Sequence, residues 1–292
     1  MNECTLCPRM CHARRTPEGG NGFCGLGSTM RLARIAPHYW EEPPISGTKG
    51  TGALFFSGCT LRCAYCQNGD ISHRNLGRDF TPQELADAMR RLVNMGVHTM
   101  SFITATPFVD GILEALSLYR PPVPLVWNSS GYERVETLQR LEGIIDVYLP
   151  DLKHFSEKMG QLCAKAPNYF DATSAAILEM VRQVGAPQYD ENGIMQKGVL
   201  IRHLILPGLT SESIALLDWV HDNAPGIPVS LMRQYTPLNG VDIPGLTRTI
   251  TPREYRRVRD HMRMLELPGY EQEAASASAE FVPIFGRDES YV

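Results

Sequence analysis

The chain has 292 residues, 43% of them hydrophobic and 21% charged, with a formal net charge of −4. That balance fits a globular protein with a sizeable core and argues against a general polyanion binder; no apolar run reaches the ~18 residues of a membrane-spanning helix, and Met1-Asn2-Glu3-Cys4 lacks the basic-then-apolar layout of a signal peptide. Eight cysteines, in two tight clusters plus Cys163, point to metal sites in a reducing compartment, so a cytoplasmic protein without a disulfide framework is expected.

Residues 1–30 form a distinct opening segment with Cys4, Cys7, Cys11 and Cys24 among closely spaced glycines. With almost no apolar periodicity it cannot build a core, so a metal is the expected staple. Cys4-Thr5-Leu6-Cys7 is the tight pair that tetrahedral zinc or an iron–sulfur cluster favours, and Cys11 and Cys24 complete four ligands. Spacing does not separate zinc from iron–sulfur, because both accept four thiolates. Residues 31–52 read as a linker with an extended segment, rich in proline and closing on Gly47–Gly52. A phosphate loop is excluded there by the missing GxxxxGK[ST] pattern.

From Ala53 strand and helix alternate. Strands are predicted at Ala53–Ser57, His98–Thr104, Leu125–Asn128, Ile144–Leu149, Val199–Leu206 and Pro228–Met232. Thr81-Pro82-Gln83-Glu84 and Thr251-Pro252-Arg253-Glu254 are capping boxes that open helices. Further helices are predicted over about Val109–Leu118, Val135–Leu141, Thr173–Val184 and Ser211–Asn223. Such alternation means α/β architecture: a parallel sheet with right-handed crossovers, here a partial (β/α)6 TIM-type barrel over 53–267. In the tail, 268–292, the stretch Gln272–Glu280 reads as mobile and Phe281–Phe285 as a short edge strand.

The first strand runs into Ser57-Gly58-Cys59-Thr60-Leu61-Arg62-Cys63-Ala64-Tyr65-Cys66-Gln67-Asn68. Cys59, Cys63 and Cys66 can hold three corners of a four-iron cluster, and with no fourth local cysteine one iron stays open to a ligand that is not protein. By itself the triplet also fits a structural zinc loop or buried free thiols. Polar sequences recur at the other predicted strand ends: Thr104-Ala105-Thr106-Pro107, Asn128-Ser129-Ser130-Gly131, Asp151-Leu152-Lys153, Pro207-Gly208-Leu209-Thr210 and Arg233-Gln234-Tyr235. Functional groups of parallel α/β folds gather on that rim. Arg202, inside an apolar strand, needs an anionic partner, either a protein carboxylate or the carboxylate of a bound ligand, because an unpaired buried charge is costly.

CxxxCxxC after the first strand, with an aromatic residue before its last cysteine, resembles the radical S-adenosylmethionine (SAM) enzymes. Over about Thr51–Pro237 the strand ends are similar to the branch of pyruvate formate-lyase activating enzymes, which activate glycyl radical enzymes, and the Cys quartet to a subgroup of it. The resemblance implies a [4Fe–4S] cluster on Cys59, Cys63 and Cys66, capped by SAM. It also implies reductive cleavage of SAM to a 5′-deoxyadenosyl radical that takes a hydrogen from a substrate. By the same resemblance Tyr65, Gln67, Thr104, Thr106, Asn128, Asp151, Lys153, Arg202 and Gln234 line or hold the SAM site, and no further catalytic side chain is singled out. Two departures stand out. Thr104-Ala105-Thr106-Pro107 occupies the place of Gly-Gly-Glu-Pro, and Gln67 and Gln234 stand where the branch carries histidines.

The implied partners are a glycyl radical enzyme as protein substrate and an electron donor such as flavodoxin or ferredoxin. No membrane partner is implied, and the modest charge disfavours nucleic acid. Two other readings stay open: radical modification of a small molecule, peptide or RNA, and a non-catalytic iron–sulfur or zinc protein that relays electrons or scaffolds a partner.

Overall fold

The structure, a computed structural model, describes residues 3–237, 241–272, 285 and 290–292. An antiparallel pair, β1 (Arg15–Thr16) and β2 (Gly19–Gly20), lies in the N-terminal segment. Strand β3 (Met30–His38) follows, then a single turn α1 (Pro43–Ser46) and strand β4 (Thr51–Phe56). Next come α2 (Gly69–Ser72), β5 (Arg78–Phe80), α3 (Pro82–Asn94), β6 (Thr99–Ile103), α4 (Val109–Leu118) and β7 (Leu125–Ser129). The chain continues through α5 (Val135–Gln139), β8 (Val147–Pro150), α6 (Glu157–Ala164), α7 (Tyr169–Val184), β9 (Gln188–Tyr189) and β10 (Met195–Val199). It closes with β11 (Ile201–Leu204), α8 (Thr210–Asn223), β12 (Val229–Met232), α9 (Pro252–Met264) and β13 (Gly269–Glu271).

The main sheet has the order β5-β3-β4-β6-β7-β8-β10-β9, and a second sheet the order β11-β12-β13. A parallel bridge between Asp151 and Arg202 joins the two, with the Leu152 N–H donating to the Arg202 carbonyl at 2.8 Å. The run β4-β6-β7-β8, continued by β10 and β11 to β12, is parallel throughout. It is the expected α/β parallel arrangement, and among the described residues it does not close into a full barrel. Strands β4, β6, β7 and β8 are buried at every position, which is why they read as apolar runs without alternation.

Both predicted capping boxes form. Glu84 N donates to Thr81 Oγ1 at 3.2 Å and Thr81 N to Glu84 Oε2 at 2.7 Å, with matching bonds between Thr251 and Glu254. Several expectations need correction. The stretch 31–52 is no linker: β3 lies in the main sheet, antiparallel to β4, with Ile35 opposite Leu54. Its arginines at 31 and 34 mask the alternation, although Leu32, Ala33 and Ile35 are fully buried. The predicted strand Val199–Leu206 is two strands split at Leu200, because the chain there leaves one sheet for the other. Helix α6 escaped the pattern, and β13 extends the ordered fold past 267. The edge strand expected at 281–285 and the tail after Gln272 lie outside the described residues except Phe285, whose ring meets Phe55 edge-on at 5.5 Å, and 290–292, where Val292 N donates to the Ile35 carbonyl at 3.0 Å.

Inside the curve of the sheet, Ile45 of α1 packs on Val126, Val147, Leu149, Met195 and Leu200. The chain between β3 and β4 therefore enters the barrel interior and plugs its lower half. What remains open is a cavity of about 810 Å³ on the strand-end side. No described helix is long and apolar enough to cross a membrane.

Candidate active site

The cluster loop is shaped by its backbone. Gly58 adopts φ +76°, and a Cβ there would fall 2.3 Å from the Leu26 side chain, so glycine is required on both counts. Its N–H donates to the Ile71 carbonyl at 2.7 Å, and Ala64 N donates to the Cys163 carbonyl at 2.8 Å, which docks the loop on α6. Arg62 braces it from below, donating to the carbonyls of His73 and Phe23 at 2.9 and 3.0 Å. The N-terminal segment braces it from outside: Arg9 donates to the carbonyls of Thr60 and Lys165 while stacking 3.4 Å over the Phe23 ring.

Cys59, Cys63 and Cys66 all line the 810 Å³ cavity. Burial pushes the Cys59 thiol up to about 11 and raises Cys63 as well, while the nearby Lys153 ammonium pulls both back down. Ser72 Oγ lies 3.1 Å from Cys66 Sγ. Buried thiols that lose their protons when a cation binds are suitable metal ligands. Among the described residues no three His, Cys, Asp or Glu side chains are placed to share a single ion. An iron–sulfur cluster does not require that, because each thiolate binds its own iron. The three sulfurs on one cavity wall, without a fourth thiol among the lining residues, fit a four-iron cluster with one open corner.

A charged chain runs across the cavity from these thiols. Lys153 Nζ pairs with Asp151 Oδ2, and Arg202 Nε donates to Asp151 Oδ1 at 2.9 Å. Arg202 Nη2 donates to Asn128 Oδ1 at 2.7 Å, and Asn128 Nδ2 donates to Glu41 Oε2 at 2.6 Å. Arg202 Nη1 lies 3.6 Å from Glu41 Oε2 and 3.9 Å from Glu42 Oε2. Burial alone would raise Asp151, but Arg202 and Lys153 bring its carboxyl below the usual range. Burial also works against the charges of Lys153 and Arg202, and their carboxylate neighbours more than compensate, so both stay ionised. The partner that Arg202 required is thus protein carboxylate.

Of the residues expected to hold SAM, Tyr65, Gln67, Thr104, Asn128, Asp151, Lys153, Arg202 and Gln234 line this one cavity. Thr106 does not. It opens a 3-10 turn (Thr106–Phe108) whose direction carries its hydroxyl away, to donate to the buried Glu133 at 2.6 Å. Thr104 takes φ +59°, rare for a β-branched residue, and its N–H donates to the Asn128 carbonyl at 2.9 Å. Strain of this kind costs on the order of 1–3 kcal/mol and gathers at functional sites. Tyr65 donates to or accepts from His154 Nε2 at 3.0 Å, and Gln272 Nε2 lies 3.4 Å from Gln234 Oε1. Glu41 and Glu42 are the residues that sequence reasoning missed. Their one signal is an acidic pair directly before Pro43-Pro44 in an apolar neighbourhood.

Cys4, Cys7, Cys11 and Cys24 come together around a second, much smaller pocket shared with Thr106 and Pro107. Burial pushes the Cys7 thiol up to about 12 and raises Cys24. Arg15, donating to Gly27 and Pro107 carbonyls, and Arg134, donating to the Thr5 carbonyl at 2.7 Å, fasten this segment to the barrel.

Comparison with known proteins agrees with this geometry. The chain belongs to the radical SAM superfamily, whose family profile matches residues 54–220, more than half of its length. Membership implies a [4Fe–4S] cluster and SAM as cofactors. An uncharacterized protein of Methanocaldococcus jannaschii is 28% identical over 265 residues, 87% of this chain and 72% of that protein. The 7-carboxy-7-deazaguanine synthase of Methanothermobacter thermautotrophicus is 28% identical over 106 residues, 36% of this chain and 43% of that enzyme. Among solved structures, a radical SAM methyltransferase from Sphaerobacter thermophilus superposes with TM-score 0.53 at 14% identity, covering 74% of this chain and 63% of that one. Streptococcus suis SuiB bound to precursor peptide SuiA gives TM-score 0.52 at 13% identity, covering 76% of this chain and 48% of that one. At these identities the likeness to the solved structures is one of fold.

Proposed function

We propose that this enzyme binds a [4Fe–4S] cluster on Cys59, Cys63 and Cys66 and holds SAM in the adjoining cavity. When bound, the reduced cluster and SAM supply a 5′-deoxyadenosyl radical able to take a hydrogen from an unactivated carbon. The observation that carries this reading is that the three thiols and the Lys153–Asp151–Arg202 chain line one cavity of about 810 Å³. A protein that only relays electrons needs no such space beside its thiols.

The chain's own residues perform four tasks. Lys153 sets a buried positive charge beside the thiolates and offsets theirs. Asp151 and Asn128, tied down by Arg202, offer fixed polar edges that need no reorganisation when a ligand arrives. Gln67 and Gln234 supply neutral donors and acceptors on the same wall. Tyr65, Tyr235 and the plug at Ile45 exclude water from below and beside the site.

The finer reading takes a backbone glycine of a glycyl radical enzyme as hydrogen donor and flavodoxin or ferredoxin as electron source; its support is the Asp151-Leu152-Lys153 sequence at the end of β8. The Cys quartet serves as a second thiolate metal centre that fastens residues 3–29 beside the cluster loop. Electron paramagnetic resonance tests the main reading. The reduced, iron-reconstituted protein shows a [4Fe–4S]+ signal that changes shape on adding SAM, and Cys63→Ala abolishes this SAM-responsive component. A signal indifferent to SAM counts against the proposal. Metal retained by Cys63→Ala and lost on adding Cys7→Ala assigns the quartet, and its identity, iron or zinc, follows from the same analysis.

A further inference from the structure

Among the described residues, three carboxyls at the inner end of the cavity, Asp151, Glu41 and Glu42, face two cations, Lys153 and Arg202. Both oxygens of Asp151 are taken up by Lys153 and Arg202. Arg202 alone then remains for Glu41 and Glu42. Glu41 has the Asn128 amide as a donor, whereas among the described residues Glu42 Oε2 has no hydrogen-bond partner and lies 3.9 Å from Arg202 Nη1. Glu42 is 8% exposed, and Ser46, on the same cavity wall and 2% exposed, likewise leaves its hydroxyl without a partner among the described residues. Glu42 hydrogen-bonds Ser230 and its own backbone, yet its Oε2 stays buried without a donor among the described residues, a cost that a cation would remove. Burial pushes it up to about 7, with the neighbouring Glu41 adding to the rise and Arg202 opposing it.

We propose that Glu41 and Glu42 are the recognition site for a cationic nitrogen, an ammonium or guanidinium, on the substrate; this rests on the cavity being the place of hydrogen abstraction. Position favours the substrate over SAM. The chain runs from Cys63 through Lys153, Asp151 and Arg202, and the carboxylates stand at its far end. They meet the barrel at the level of Arg202 and Ser230, which pair with each other two residues short of the ends of β11 and β12. Arg202 also bridges Asp151, just past the end of β8, so the carboxylates stand beside the rim but are separated from the cysteines by the Lys153–Asp151–Arg202 chain. Tyr39 and Trp40, directly preceding the pair in sequence, line the same cavity with exposed aromatic rings, which attract cations on their way in.

The test uses the full-length, iron-reconstituted protein with SAM, titrated with n-butylguanidinium, n-butylammonium and the neutral isostere n-butylurea, followed by tryptophan emission or calorimetry. The expected result is that butylguanidinium or butylammonium binds about tenfold or more tighter than butylurea. Glu42→Gln and Glu41→Gln each erase most of that preference while iron content and melting temperature hold. Equal binding of urea and guanidinium to the native protein overturns the proposal, as does no binding of either cation at millimolar concentration. So does a Glu42→Gln variant that keeps the cation preference but loses affinity for SAM, since that assigns the carboxylate to the cofactor. A native protein that forms no 5′-deoxyadenosine refutes the parent reading, whereas one that cleaves SAM without any cation preference refutes this inference alone.

Discussion

Arg202 shows how far a single residue can be read. A charge in the middle of an apolar strand announces that partners exist, and the structure supplies Asp151, Glu41, Glu42 and Asn128 around it. Its partners were legible only in part. Asp151 was expected on the rim but not as a partner of Arg202, and two glutamates before a pair of prolines look like a solvated turn until β3 is seen to deliver them into the barrel. Removing Arg202 leaves buried carboxylates uncompensated, so Arg202→Ala should lower unfolding free energy by roughly 3 kcal/mol or more in urea titrations. Neighbouring His203 gives a pH signature. Burial among Leu152 and Ser213 lowers its value from 6.5 to about 4. The unfolded chain then binds a proton that the folded chain refuses, so stability is complete above pH 6.5 and is lost as pH falls toward 4. That loss amounts to about 3 kcal/mol at most, and His203→Gln should flatten the stability–pH curve in this window.

At the scale of elements, strong local signals were sufficient where they existed. The capping boxes at Thr81 and Thr251 set the starts of α3 and α9, and α4 spans Val109–Leu118 as expected. Elements defined by pairing alone were harder. β3 earns its place through β4, and β9 and β13 are short edge strands with no periodicity of their own. The cluster loop lies between these cases: its cysteine spacing is plain in sequence, but its dependence on Leu26 and Arg62 is not. Gly58→Ala combines a left-handed backbone with a Cβ overlapping Leu26. The variant should melt lower by an amount on the order of 1–3 kcal/mol and take up less iron on reconstitution. Unchanged iron uptake would show that the loop is less constrained than its contacts indicate.

For the whole molecule, one feature organises the rest. The parallel strands bring Cys59, Asn128, Asp151, Arg202 and Gln234, scattered over some 176 positions of sequence, onto the wall of one cavity, and the segment after β3 fills the barrel beneath it. The rim was legible because parallel α/β folds place strand ends together. The plug and the inner carboxylates were not, because they depend on where a connecting segment runs through the third dimension. Thr106 marks the limit of motif matching: in the right place along the chain, it turns its hydroxyl to Glu133. The most direct test of the central claim is 5′-deoxyadenosine formation by the reconstituted protein under anaerobic conditions with dithionite and SAM. The account predicts that the native protein forms it and that Cys63→Ala does not. No product from a fully iron-loaded native protein, or equal product from Cys63→Ala, would contradict it.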